Sequence, residues 1–536
     1  MDQPKSRTLG NLIVEMAARF PDREAMVFRD QRITYRQFER EVEKRAQALI
    51  ALGVVKGERV AVLFRNSPDW LYLYFAVTSI GAIFVGVSTW SQEKELDYVL
   101  RHCDASTFFL VDRFLKNDYS SQIKSILPAI KESDPGTFRS EKLPFLKNVI
   151  FWGQDKPRGA IAYEEFCRMG EKVGDAHLEK TRAEVMPWDL AQILYTSGTT
   201  SFPKGVMHVH EALVMNGYQI GEHQVLNEND RAWLYFPLFF SAGCCNVTLG
   251  TVTHGACLVF QETFEPGEAL KLMEREKCTT FHAWPNTVRA IMEHPDYPNT
   301  NLSHLHKGTG PWDLLMGLKH ADGIGGVNMY GMTETCTACA CTRGDDPPEI
   351  RIKTQGHPFP GVEFKIVNET GERVQPGEVG EICVKGFNVM KGYYKKDPAE
   401  TFDAEGFFHT GDRGKIDDRG FFRFKSRITE MIKTGGLNVS PLEVESYLTT
   451  HPKVIHVHVL GIPDPVKEER VGVVIVPKEG VECTAEEIRE FCKGNISSYK
   501  IPEMIEFMKE EELPLTATGK VQKHKLLEIL QSRKIG

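Results

Sequence analysis

The strongest constraint on this chain is a repeated alternation. Short apolar runs at Arg59–Phe64, Ile80–Val87, 108–112, 149–152, 192–195, 256–260 and 279–283 are separated by stretches with helical spacing of apolar residues. Such runs read as strands buried on both faces, and strands that alternate with helices pair in parallel through crossovers. The first elements fit the same pattern. Leu12, Met16 and Phe20 form an i, i+4, i+8 stripe. The runs from Ala25 and Ile33 flank Arg29-Asp-Gln-Arg32 as a hairpin. Thr34, with Gln37 three residues on, is a capping box opening a long helix, and another helix starts at Ser67.

The texture changes after about residue 360. The runs from Glu363, Gly380 and Gly420 are short and separated by turns, which predicts a small β-barrel or an antiparallel sheet. From about 430 an α/β order returns. Helices are expected at 441–449 and 484–493, strands at 454–460, 471–476 and 503–508, and a last helix from about 521. The predicted fold class is α/β: a large N-terminal domain of parallel α/β sheets plus a small β-barrel, followed by a small α+β C-terminal domain.

At 536 residues the chain has room for three to four domain-sized units. Hydrophobic residues at 41% and charged residues at 26% are ordinary globular usage, which excludes a disordered chain. The net charge of -8 excludes recognition of nucleic acid through a strong positive field. The 12 cysteines are too scattered for a disulfide framework and read as free thiols in a reducing compartment. The N-terminus lacks the pattern of a signal peptide, and the apolar stretch Phe75–Trp90 is too short to span a membrane. A cytoplasmic protein with no membrane span is expected.

The sharpest local feature is Ile193–Met207. An apolar run enters Thr196-Ser197-Gly198-Thr199-Thr200-Ser201, followed by Pro203-Lys204-Gly205. Hydroxyls, backbone N–H groups and one lysine can wrap a polyphosphate. The loop is not a Walker A loop, and a plain Ser/Thr/Gly surface loop is the alternative. Further along stand Asn328-Met-Tyr-Gly-Met-Thr-Glu334, the Thr410-Gly-Asp412 segment, Ser426–Glu445 with Gly435-Gly436, Gly461-Ile-Pro-Asp464 and Leu513–Lys520.

These six motifs, in this order, resemble those of the adenylate-forming superfamily, which contains the AMP-forming acyl-CoA synthetases. Ser201 stands where the last glycine of the usual loop is found. The resemblance implies a mobile C-terminal domain over residues 429–536, moving against residues 1–428, with the hinge register falling on Thr429. It implies ATP, Mg²⁺ and coenzyme A as cosubstrates and cofactor, and a small carboxylate as the remaining partner. A homodimer stays open. Catalytic roles fall on Lys520, Thr333 and Glu334. Nucleotide contacts fall on Thr196, Ser197, Gly198, Thr199, Thr200, Lys204, Asn328, Met329, Tyr330, Gly331, Asp412 and Arg427. Glu334 and Thr196 would hold the metal, since Mg²⁺ takes hard oxygen ligands. In this reading Tyr330 stacks on adenine and Asp412 accepts the ribose hydroxyls.

Lys520 would steady charge during adenylation. Lys433, Gly435, Gly436 and Leu437 would meet coenzyme A in a second domain orientation, and Lys500 is a weaker candidate for ligand contact. Phe239, Phe240, Ala242, Gly243, Trp284, Gly308, Thr309, Gly310 and Met332 are the acyl-pocket candidates, although the aromatics also read as plain core. No Asp or Glu lies between 235 and 250 to pair with an α-amino group, which argues against an amino acid as substrate. The bulky aromatics favour an apolar acid: aromatic, alicyclic or short-to-medium chain. Cys336, Cys339 and Cys341 could suggest a metal, but read better as thiols packed behind the nucleotide site. The competing readings are an adenylation enzyme that loads a carrier protein, a luciferase-like oxygenase and a degenerate, non-catalytic member.

Overall fold

The computed structural model of the chain describes residues 2–196, 203–318, 320–427, 431–478, 480–514 and 521–532. Its centre is an eight-stranded sheet. In spatial order the strands are Gly392–Tyr393, Lys204–Val209, Leu190–Thr196, Ile83–Gly86, Arg59–Leu63, Ala105–Val111, Asn148–Trp152 and Ile161–Ala162. Neighbours from Leu190–Thr196 onward pair in parallel, as the buried runs predicted. The other edge is antiparallel, because Leu190–Thr196 returns directly through a hairpin into Lys204–Val209.

A second sheet joins distant segments. Cys257–Phe260 pairs in parallel with Arg231–Leu234 on one side and with Glu24–Phe28 on the other, and Glu24–Phe28 turns back into Gln31–Thr34. The predicted capping box is realised: Gln37 donates its amide N–H to the Thr34 side chain, and the Thr34 amide donates to Gln37 Oε1 at 2.8 Å. The helix Pro68–Ser79 begins after its N-cap, Ser67, and is buried all round. Its Trp70 and Tyr74 rings pack on Phe84 of the central sheet, so helix and sheet share one core.

One expectation needs correction, and of the two forms expected after residue 360 the structure has the antiparallel sheet. The run at 279–283 is not a strand. Thr280 makes single bridges to Ala232 and Lys307, because the segment must turn at Trp284 into the helix Pro285–Met292. The turn-rich region after 360 is an open four-stranded antiparallel sheet rather than a closed barrel: Val362–Val367, Gly380–Gly386, Phe408–Ile416 and Phe422–Arg427. It packs its own small core, including Phe364, Ile382 and Phe422.

From Ile432 onward the described residues build a separate five-stranded sheet around Glu468–Pro477. The helices Pro441–Leu448, Ala485–Cys492 and Lys523–Ser532 accompany it. Its core is drawn from this part of the chain alone, for example Val459, Val473 and Ile488. No helix among the described residues is long and apolar enough to cross a membrane.

Candidate active site

The site begins at the hairpin that edges the central sheet. Thr196 pairs with Lys204 across the two strands, so the register alone returns the lysine to the threonine. Ser197, Gly198, Thr199 and Thr200 lie outside the described residues. The Lys204 ammonium stands 4.8 Å over the Tyr393 ring. Burial, with Lys396 nearby, holds it below the ordinary lysine range, and Glu334 opposes that shift.

His208, on the same strand, reaches the next motif. Its ring is fully buried, and burial lowers its pKa to about 4. The neutral ring then accepts from the Gln192 amide at 3.0 Å through Nδ1 and donates from Nε2 to the Thr333 carbonyl at 2.7 Å. This pins the short turn Thr333–Thr335 against the sheet. The Thr333 hydroxyl lies 3.4 Å from Ser241 Oγ. Glu334 is fixed twice: the Tyr393 hydroxyl donates to Oε1 at 2.8 Å, and the Met390 amide donates to its carbonyl at 2.8 Å.

Thr196, Lys204, Gly331, Thr333 and Glu334 line a cavity of about 620 Å³. Phe239, Phe240, Ala242, Trp284 and Met332 line it as well and add apolar surface. Gly436 and Leu437 of the C-terminal unit close it, together with Ser497, Tyr499 and Lys500. A lining that combines a lysine and a carboxylate with aromatic and aliphatic side chains suits a ligand that carries a charged group on an apolar body.

Other predicted residues stand off this wall. Gly243 lies inside a widened helical turn, Ala242–Leu249, where a β-carbon would fall 2.4 Å from the Pro237 carbonyl; the glycine permits close packing. Thr309 sits in a polar cluster with Asn246, His282 and Gln224, flanked by Gly308 and Gly310. Asn328 is tied to Thr342 through its backbone, and Met329 pairs with Cys341. The Tyr330 ring packs on Phe422 and Phe424, and its hydroxyl donates to Asp412 Oδ2 at 2.9 Å. Burial, with Asp412 beside it, pushes that phenol up, so it stays a donor. In this arrangement the Tyr330 hydroxyl orients Asp412.

Arg427 is paired with Asp412 in the strand register, and its side chain lies outside the described residues, as do Lys520 and Thr429. The Lys433 ammonium lies 5.5 Å over Phe424, and the Gly435 amide donates to the Lys467 carbonyl at 2.8 Å. Cys336, Cys339 and Cys341 are buried, and burial raises all three thiols.

The structure also assembles residues that sequence reasoning did not single out. Tyr393, His208 and Ser241 contact the Thr333–Thr335 turn, and Trp90 packs between Phe239, Phe240 and Tyr499. The Gly-Tyr-Tyr394 stretch was the only local signal for Tyr393; nothing near Trp90 in sequence points to Tyr499.

The chain matches the family model described as AMP-binding enzyme over residues 13–394, and the AMP-binding enzyme C-terminal domain over residues 443–520. It belongs to this family of adenylate-forming enzymes. A putative acyl-CoA synthetase, YngI of Bacillus subtilis, is 35% identical over 97% of this chain and 96% of its own length. The mitochondrial medium-chain acyl-CoA ligase ACSF2 of Danio rerio is 32% identical over 98% of this chain and 88% of that protein. The structure of the amide bond synthetase McbA from Marinactinospora thermotolerans superposes with a TM-score of 0.80, covering 97% of this chain and 99% of that one; at 24% identity it shares the fold.

Proposed function

We propose that this protein is an AMP-forming acyl-CoA synthetase for an apolar carboxylic acid, with residues 1–428 as the nucleotide- and acid-binding body and 429–536 as a mobile cap. The observation that carries the reading is the meeting of Gly436 with Trp284 in the lining of the cavity. A glycine-rich turn of the C-terminal unit stands where an acceptor thiol must approach the acyl group.

In the first half-reaction the acid's carboxylate oxygen attacks the α-phosphorus of ATP and pyrophosphate leaves. The work is positioning and charge stabilisation. Thr196 and Lys204 hold phosphate oxygens, and the Thr333 hydroxyl donates to the α-phosphate. The carboxylate of Glu334 and the hydroxyl of Thr196 are the hard oxygen donors Mg²⁺ prefers, and the Tyr393 hydroxyl orients that carboxylate. Mg²⁺ supplies neutralisation of phosphate charge. Asp412, oriented by Tyr330, accepts from the ribose. Lys520 serves this step in the alternative cap orientation.

In the second half-reaction the thiol of coenzyme A attacks the acyl carbonyl, and AMP leaves with the bonding pair. The hairpin Ile432–Val439, with Gly435 and Gly436 at its turn, forms one wall of the thiol's path. Phe239, Phe240 and Trp284 bound the acid and favour an apolar chain of limited length. The test is acid-dependent pyrophosphate exchange followed by thioester formation with coenzyme A alone. Exchange without thioester would favour a carrier protein as acceptor.

A further inference from the structure

A buried ion cluster joins the two units beside the cavity. Lys500 is 4% exposed and its ammonium donates to Glu443 Oε1 and to Glu95 Oε1, both at 2.7 Å. Glu443 belongs to the C-terminal unit, on the helix Pro441–Leu448. Glu95 belongs to the N-terminal body, at the start of the helix Glu93–His102. Its other oxygen accepts the Ser497 hydroxyl at 2.7 Å and the Gln92 amide at 2.9 Å. Ser497 also donates to the Trp90 carbonyl at 3.3 Å, and the Trp90 ring packs edge-on against Tyr499 at 5.7 Å. The same Trp90 ring touches Phe239 and Phe240.

The division of partners is informative. Lys500 carries Glu443 with it wherever the C-terminal unit goes. Glu95 is met only when that unit sits as it does here, with Gly436 on Trp284. A lysine this deeply buried needs compensation for lost solvation, and removing one partner of such a cluster weakens the arrangement that buries it. A contact made in one orientation alone can shift the population toward that orientation.

We infer that Glu95 is a positioning residue for the thiol-acceptor step: by pairing with Lys500 and Ser497 it latches the C-terminal unit in the orientation that brings Gly436 to the cavity. The inference deepens the proposed acyl-CoA synthetase reading and rests on it for the identity of the step.

The variant that isolates the role is Glu95→Gln. Glutamine at the third helical position still supports the cap bond to the Gln92 amide, so the helix start is preserved while the charge pairing with Lys500 is lost. The ratio of thioester formation, measured from supplied acyl-adenylate, to acid-dependent pyrophosphate exchange should drop about tenfold, with the loss appearing in the apparent KM for coenzyme A. An unchanged ratio, or an equal fall in both half-reactions, would overturn the latch. Hydrogen exchange gives a readout independent of turnover: in Glu95→Gln the amides of 435–438 and 497–501 should exchange faster, while the cores of the two units stay protected. Unchanged protection there would equally overturn it. If no acid supports either half-reaction in the unsubstituted protein, the activity reading fails, and the exchange result alone decides the latch.

Discussion

Gly436 and Trp284 are in contact across the two units so closely that a β-carbon at Gly436 would fall 2.6 Å from the indole atoms Cγ and Cδ2. The glycine also has a φ of +83°, a conformation that disfavours any side chain. The φ constraint belongs to the hairpin turn itself, whereas the contact with Trp284 acts only when the C-terminal unit is seated on the cavity. Gly436→Leu should therefore lower thioester formation by about a hundredfold, a loss of roughly 3 kcal/mol in transition-state stabilisation. Pyrophosphate exchange should keep most of its rate. Single-turnover measurement of each half-reaction checks this, and an unchanged second step would remove the hairpin from the mechanism.

Tyr393 and Glu334 make a different kind of pair. The hydroxyl at 2.8 Å orients the carboxylate from a residue that itself lines the cavity. Partners of this kind typically carry ten- to a hundredfold in metal affinity. Tyr393→Phe should raise the Mg²⁺ concentration for half-maximal pyrophosphate exchange by about tenfold and leave the KM for the acid nearly unchanged. A Mg²⁺ titration reads both.

Lys520 was assigned by resemblance to the adenylation step. Lys520→Ala should nearly abolish acid-dependent pyrophosphate exchange and spare thioester formation from supplied acyl-adenylate. Equal loss of the two would contradict a role confined to charge stabilisation in the first step.

Three buried histidines predict an acid limit to stability. Burial lowers His208 and His210 to about 4 and His282 to about 3. The unfolded chain binds these protons near pH 6.5, and the native state resists them. The stabilisation is complete above about 6.5 and is lost as pH falls from there towards 4. Each histidine contributes up to about 3 kcal/mol across that window. Denaturant midpoints measured from pH 8 to pH 5 should fall steadily below 6.5, and His208→Gln should flatten part of that slope. His208→Gln should also loosen the Thr333 turn and lower the adenylation rate.

Local signals were legible in the sequence wherever one segment determines the structure. The Thr34–Gln37 box, the buried parallel runs and the order of the C-terminal elements are all of this kind. Where several segments decide together, the sequence misled or was silent. The 279–283 run is apolar enough for a strand, but the turn at Trp284 leaves Thr280 with single bridges. Gly308, Thr309 and Gly310 look like pocket residues by position, yet Thr309 is consumed by Asn246, His282 and Gln224. Glu95 and Lys500 stand 405 positions apart, and neither has a local pattern that announces the other. Their meeting depends on how two independently built cores dock.

The most direct test of the account is a panel of apolar carboxylic acids incubated with ATP, Mg²⁺ and coenzyme A, read as AMP release together with acyl-CoA. The predicted result is AMP release that needs both acid and coenzyme A, matched one to one by thioester, with short-to-medium aliphatic, alicyclic or aromatic acids preferred. Acid-dependent pyrophosphate exchange across the panel with no thioester on coenzyme A would contradict it.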